Sequence, residues 1–158
     1  MAKLIICVMH SNENLLKEVK EKLEEKFGEI KDQISYDFNF TKYYEREMGK
    51  NLKKNILTFK QEIKEKQLAE IKEYANHLED NYRIEGKRTV NIDPGYLTKK
   101  ELILASNKKS PYKIRISENI YAHLTLKFEG NKCSTTQRTY PDFKNKNVQQ
   151  FLLKIKKD

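Results

Sequence analysis

Nine residues from Arg88 to Tyr96, reading Arg-Thr-Val-Asn-Ile-Asp-Pro-Gly-Tyr, compress strand, turn and reactive side chains more tightly than any other stretch of the chain. A period of two places Thr89, Asn91 and Asp93 on one strand face and Val90 and Ile92 on the other. Arg88 shares parity with the apolar pair, so it reaches the polar face only if the strand bulges or ends there. Pro94 and Gly95 predict a sharp turn, which would set Tyr96 just before a helix N-terminus, where backbone N–H groups favour a phosphate or carboxylate. The competing reading is an Asp-Pro-Gly turn whose Asp is only a local cap.

Other constellations are less specific. Asp37, Glu45, Glu47, Asp93 and Asp142 are oxygen donors that suit Mg²⁺ or Mn²⁺ better than zinc if they converge, with Glu47, Asp93 and Asp142 as the candidate metal set. The alternative is a set of solvated surface carboxylates. His123-Leu124-Thr125 has the His-x-Thr spacing of two-histidine phosphoesterases, but the chain has no second such element. Neither Cys7 nor Cys133 has a partner that predicts a nucleophile, a zinc site or a redox pair. The five glycines never take the spacing of a Walker A or dinucleotide loop, so a bound nucleotide would need another geometry.

Charge adds a second signal. The chain carries +9, and residues 1–96 hold 18 basic and 18 acidic side chains, so the whole excess lies in residues 97–158. Lys108, Lys109, Lys113, Arg115 and Arg138 are interleaved there with Tyr112, Tyr121, Tyr140 and Phe143, a composition that offers stacking surfaces beside phosphate-neutralising cations. RNA or a nucleotide is the partner this predicts, and plain solvated charge is the alternative. No aromatic signature of a named RNA module is present.

The elements that must position these residues follow from periodicity. At 158 residues the chain predicts one domain with a two-layer core. Lys3 to Met9 is an apolar, β-branched run expected of a strand buried on both faces. Leu15, Leu16, Val19, Leu23 and Phe27 form an amphipathic helix that Ser11 or Asn12 caps and Gly28 ends. Ile34, Tyr36, Phe38 and Phe40 alternate as a strand, Thr41 to Lys54 reads as a long functional loop, and Leu57 to Ile63 as a short strand. A helix over Leu68 to Tyr82 and a strand over Lys87 to Ile92 complete a ferredoxin-like βαββαβ half, residues 1–96.

For residues 97–158, Thr98 and Glu101 at capping-box spacing, with Leu97 and Leu102 as a staple, predict a short helix to about Ser106. Lys113–Ser117 and Ile120–Phe128 read as a hairpin, Gly130-Asn131 as a turn into a third strand ending near Tyr140, and Val148 to Ile155 as a final helix. The fold class is therefore α+β, with an antiparallel β-meander and a terminal helix packed on the ferredoxin-like half. The apolar run Leu4–Met9 is too short for a signal peptide or a membrane span, so no membrane association and a cytoplasmic location are expected.

Several segments together resemble a family. Asp37-Phe38, Thr41 to Gly49, Val90 to Leu97, Leu104-Ala105-Ser106, Ile120-Tyr121-Ala122 and Thr139-Tyr140-Pro141-Asp142 are similar to the prokaryotic proteins of domain-of-unknown-function family 4416, over nearly the whole chain. Relatives tend to have a His where Tyr112 stands and an acidic residue in place of His123. Some carry an automatic GTP-binding label, and no established catalytic residues come with the family. The resemblance implies that the Tyr43–Gly49 loop, the Asn91–Tyr96 turn and the Tyr140–Asp142 segment belong to one site.

Three functions follow as expectations. The first is an anionic-ligand binder, for RNA or a nucleotide-like phosphate compound, in which Tyr43, Tyr44, Glu47, Asn91, Asp93, Tyr96, Tyr140 and Asp142 contact the ligand. The second is a divalent-metal enzyme acting on a phosphorylated small molecule. The third is a non-catalytic interaction scaffold.

Overall fold

The apolar run at the start of the chain becomes β1 (Ala2–His10), in which every residue from Leu4 onward is buried. The computed structural model describes all 158 residues. After β1 come α1 (Glu13–Phe27), β2 (Ile30–Asp37), α2 (Glu45–Met48), β3 (Lys53–Ile63), α3 (Leu68–Asn81) and β4 (Val90–Leu97). The rest comprises β5 (Glu101–Ser106), β6 (Ile114–Ser117), β7 (Ile120–Glu129), β8 (Lys132–Ser134) and α4 (Lys146–Lys157). Asn12 is the cap of α1, its side chain accepting from the N–H groups of Asn14 and Leu15 at 2.9 and 3.2 Å.

The result is an α+β fold with one antiparallel eight-stranded sheet and four α-helices. Strand order is β2-β3-β1-β4-β5-β7-β6, with β8 also paired to β7. Helices α1 and α3 pack Leu16, Val19, Leu23, Ile71, Ala75 and Leu78 against Leu4, Ile6 and Val8 of β1. On the other face, Ile5 and Cys7 meet Leu102, Leu126, Phe143, Val148, Leu152 and Ile155, so α4 and the 3₁₀ turn Pro141–Lys144 form the opposite cover. No helix is long and apolar enough to cross a membrane.

Two expectations fail in the same region. Residues 98–106 are not a helix. Thr98 Oγ1 does accept from the N–H groups of Lys100 and Glu101, both at 3.1 Å, but that bond closes a hairpin in which the Thr98 N–H donates to the Glu101 carbonyl at 3.0 Å. Leu97 and Leu102 then face each other across two strands. Leu102 to Ala105 are all buried, a continuous run that fits a strand covered on both faces as well as it fits a helix.

The Asp93-Pro94-Gly95 turn is likewise absent, since β4 runs straight through it while pairing with β1 from Val90 to Leu97. Gly95 serves close approach instead of a turn: a Cβ there would lie 2.2 Å from the Ile103 carbonyl oxygen. The long connection after β2 also contains a helix, α2, and β3 extends over eleven residues. The third strand of the C-terminal part is only β8, ending at Ser134.

Pairing of β4 with β5 covers only Gly95 to Leu97. Period two puts the Pro94 nitrogen on the β5 side, where it has no hydrogen to donate, and the ladder stops there. Two turns of α3 take over the exposed edge. Glu79 Oε2 accepts from the Ile92 N–H at 2.6 Å, and Lys72 Nζ donates to the Ile92 carbonyl at 3.0 Å. The strands therefore part, and a cleft opens between them.

Candidate functional site

The cleft encloses about 350 Å³. One side is β4 with Asn91 and Asp93, the other the end of β5 with Leu104, Ala105 and Ser106 and the loop through Lys113. Register explains its polar floor. Tyr36, Lys54, Met9 and Asn91 are successive cross-strand partners, as are Ile34, Ile56, Cys7 and Asp93 in the next row, all on the face opposite α1 and α3.

Each floor carboxylate has its own cation. Asp142 Oδ2 accepts from Lys54 Nζ at 2.7 Å and from the Tyr36 hydroxyl at 2.6 Å. Burial alone would lower the Lys54 ammonium, but the acidic groups around it, Asp142 foremost, together outweigh that and raise its pKa to about 12. Burial and then Asp142 push the Tyr36 phenol far up, so it stays a neutral donor. Asp93 Oδ1 accepts from Lys72 Nζ at 3.0 Å and Oδ2 from Asn91 Nδ2 at 3.0 Å. Burial would raise Asp93, yet Lys72 and Lys54 keep it below the usual carboxylate range.

One wall is braced from outside. Arg88 Nη1 donates to Asn91 Oδ1 at 2.8 Å, while Nη2 and Nε reach Glu47 at 2.9 and 3.1 Å and the Arg88 N–H donates to Glu47 Oε2 at 2.9 Å. Hydrogen bonding from Arg88 depresses the Glu47 carboxyl and raises the guanidinium in turn. Arg88 reaches the polar face because β4 begins only at Val90, leaving Arg88 free of the strand's parity.

The mouth is differently charged. Lys108 and Lys113 have no carboxylate within salt-bridge distance, unlike Lys54, Lys72 and Arg88. Lys113 Nζ donates to Ser106 Oγ at 3.1 Å and to the Lys108 carbonyl at 3.3 Å, and burial with Lys108 nearby lowers its pKa. Lys108 Nζ donates to the Tyr43 hydroxyl at 2.7 Å, so it links the β5 exit to the segment before α2. That bond lowers the exposed Tyr43 phenol.

Aromatic rings make the remaining walls. Tyr140 lies on the buried His123 ring at 4.5 Å between centroids and 35°, and Tyr44 packs edge-on to Phe38 at 5.9 Å. Tyr112 meets His123 at 5.7 Å, with the Arg138 guanidinium 4.3 Å above it. His123 Nε2 donates to the Arg138 carbonyl at 2.9 Å, and burial lowers its pKa, so it is a neutral support for Tyr140.

Of the residues singled out from sequence, Tyr43, Tyr44, Asn91, Asp93, Lys108, Lys113, Tyr140 and Asp142 line this cleft. Glu47 stands behind Arg88 instead of lining it. Tyr96 points to the other side, against the α3 core and the cluster of Leu68, Ile103, Ala105 and Ile120. The Asn91–Tyr96 backbone offers no anion-binding turn, because it is paired with β1 and the Ile92 groups are taken by α3. Arg115 bonds to the Ser117 carbonyl on β6, and neither it nor Lys109 lines the cleft, while Arg138 contributes only through Tyr112. Nor do Glu47, Asp93 and Asp142 form a metal set, as no group of three His, Cys, Asp or Glu is close enough to hold an ion.

Lys54 and Lys72 are the important site residues that sequence reading missed, along with Arg88, which parity had set aside. A lysine two positions before Ile56, and so on the same parity of β3, was the available signal for Lys54. Cys7, next to Asp93 in register, is fully buried with its thiol pushed up to about 12 by burial, so it supplies no thiolate.

No curated protein and no solved structure matches the chain. A family model does match, across residues 1–158, and by it the chain belongs to the family described as Domain of unknown function (DUF4416).

Proposed function

We propose that the cleft between β4 and β5 binds a small phosphate-bearing molecule. The observation that carries this reading is the meeting of two cations without carboxylate partners, Lys108 and Lys113, with the aromatic side chains Tyr43, Tyr44 and Tyr140 on one cavity of about 350 Å³. That volume falls within the range of about 300–1,000 Å³ typical of small-ligand pockets. Lys54, Lys72 and Arg88 already neutralise Asp142, Asp93 and Glu47, so added negative charge is drawn to the mouth.

A cleft of about 350 Å³ has room for one small molecule, which favours such a ligand over a run of nucleotides. In this reading the strand order β2-β3-β1-β4, with α1 and α3 on one face, supports a ferredoxin-like half, to which residues 97–158 add a β-meander and a helix that form the second wall.

Calorimetry with phosphate monoesters at two salt concentrations tests the proposal. Binding is expected to weaken as salt rises, and to weaken by at least about tenfold when both Lys108→Ala and Lys113→Ala are introduced, because two charge-assisted bonds are lost. Absence of binding at low salt, or affinity that ignores both lysines, overturns it. Tighter binding to single-stranded RNA, with a salt slope demanding many phosphate contacts, would replace it with the RNA reading.

A further inference from the structure

The cleft changes chemical character along its depth. Its mouth carries Lys108 and Lys113, donors with positive charge. Its floor carries acceptors set beside their own cations, Lys54 and Lys72: Asp142, 1% exposed, has both protein donors on Oδ2, while its Oδ1 accepts nothing from the chain. Asp93, with 29% of its side chain exposed, accepts one bond on each oxygen and has lone pairs left. Ionised carboxylates accept only, so they are matched by N–H or O–H groups of a ligand.

Between mouth and floor lie rings whose positions are locked from behind. His123 backs Tyr140 and Phe38 backs Tyr44, an arrangement that favours a flat ring over a branched aliphatic group. A matching ligand therefore has phosphate at one end, a planar ring in the middle, and hydrogen-bond donors on the far edge of that ring. A phosphate alone would bring no donor to the acceptor positions that Asp93 and Asp142 have left after bonding Lys72, Asn91, Lys54 and Tyr36.

We propose that the cleft takes a nucleotide base-first, with an amino-bearing base directed at Asp93 and Asp142 and its phosphate held at the mouth by Lys108 and Lys113. This deepens, and rests on, the reading of the cleft as a phosphate site. Loss of inner-end complementarity is costly because a buried acceptor is stripped of water without a replacement donor.

The test compares ligands on the wild-type protein by calorimetry: adenosine, guanosine and cytidine 5′-monophosphates, their nucleosides, and phenyl phosphate, which has a ring and a phosphate but no donors on the ring. At least one nucleotide is expected to bind tenfold or more tighter than phenyl phosphate. Its nucleoside should bind more weakly and be indifferent to the Lys108→Ala, Lys113→Ala pair. Phenyl phosphate binding as tightly as every nucleotide overturns base-first entry while leaving the phosphate reading intact, whereas no binding of any monoester overturns both. Asp93→Asn, checked for folding by circular dichroism, should reduce the preference for the nucleotide over phenyl phosphate severalfold, and an unchanged ratio removes Asp93 from the recognition. Should that variant not fold, the wild-type ligand comparison still decides the matter.

Discussion

Under α1 and α3, β1 presents Leu4, Ile6 and Val8 to Leu57 and Phe59 of β3 and Val90 and Ile92 of β4, hydrocarbon against hydrocarbon. On the opposite face, the same three strands carry Ile5, Cys7 and Ile56 toward one end and Lys54 and Asn91 toward the other, with Asp93 beside Cys7 where the two meet. The difference lies in what covers them. Two long helices can close a whole face with apolar stripes, whereas α4 and one 3₁₀ turn cover only the part near Ile5, Leu126 and Phe143. The uncovered end is buried by polar side chains that must each find a partner, and those pairs hold the cleft walls in place. One face is thus organised by packing throughout, and the uncovered end of the other by neutralised charge.

Removing Asp142 is the hardest strain on that contrast. Asp142→Ala strands Lys54, whose side chain is 9% exposed, with a charge and no partner, and deprives the Tyr36 hydroxyl of its acceptor. A loss of about 3–5 kcal/mol in denaturant unfolding is expected, since breaking a buried pair leaves an uncompensated ion. Adding Lys54→Met should recover part of it by removing that ion. A loss within about 0.5 kcal/mol, the range of ordinary surface substitutions, would show that the polar face is not held by its charges.

Glu79 tests the seam between the two faces. It is buried in α3 and burial pushes its pKa up to about 7, against the opposing pull of Lys72. The ordinary value being 4.5, the folded state holds the proton more tightly than the unfolded state. For such an acid, stability is lost as pH rises from the unfolded value through the folded one, and the penalty persists above it. Glu79→Gln keeps an oxygen to accept the Ile92 N–H and removes the titration. The variant should gain on the wild type between pH 4.5 and 8 by up to about 3 kcal/mol, read from paired unfolding curves. A stability difference independent of pH would mean that Glu79 is not desolvated at the β4 edge.

Legibility followed the same division. Periodicity revealed α1, α3 and α4 because each shows hydrocarbon on the side it buries, and an unbroken apolar run revealed β1; β7 was legible as a strand, although His123 and Thr125 of its polar side are buried as well. Periodicity also placed Asn91 and Asp93 on one face of β4, and the segments that the family resemblance implied to be one site do bring Tyr43, Tyr44, Tyr140 and Asp142 to the same cleft. Lys72 was invisible because, in a pattern rich in Lys and Glu, a buried lysine looks like its solvated neighbours until Asp93 is known to lie beside it. Residues 98–106 were misread for a different reason. Thr98 makes similar side-chain bonds at a helix start and in a hairpin turn, and Leu102–Ala105 has no period to separate the two.

Gly95 provides the smallest and most local test. Its φ is ordinary, so the glycine is needed for space: an added Cβ would sit 2.2 Å from the Ile103 carbonyl and 2.6 Å from Leu104 Cδ2, the first of which is backbone and cannot swing aside. Gly95→Ala must therefore push β5 away from β4 at the last paired residues before the strands part, at a cost of about 1–3 kcal/mol typical of overpacking. Because Ala105, Ser106 and the lysine-bearing loop follow directly from that point, the displacement should reach the cleft mouth while sparing the α1 and α3 face. Hydrogen exchange should show faster opening of β5 with unchanged protection in α1. Equal loosening of both would mean that the two faces unfold as one unit and that β5 is no more independent than the helical core.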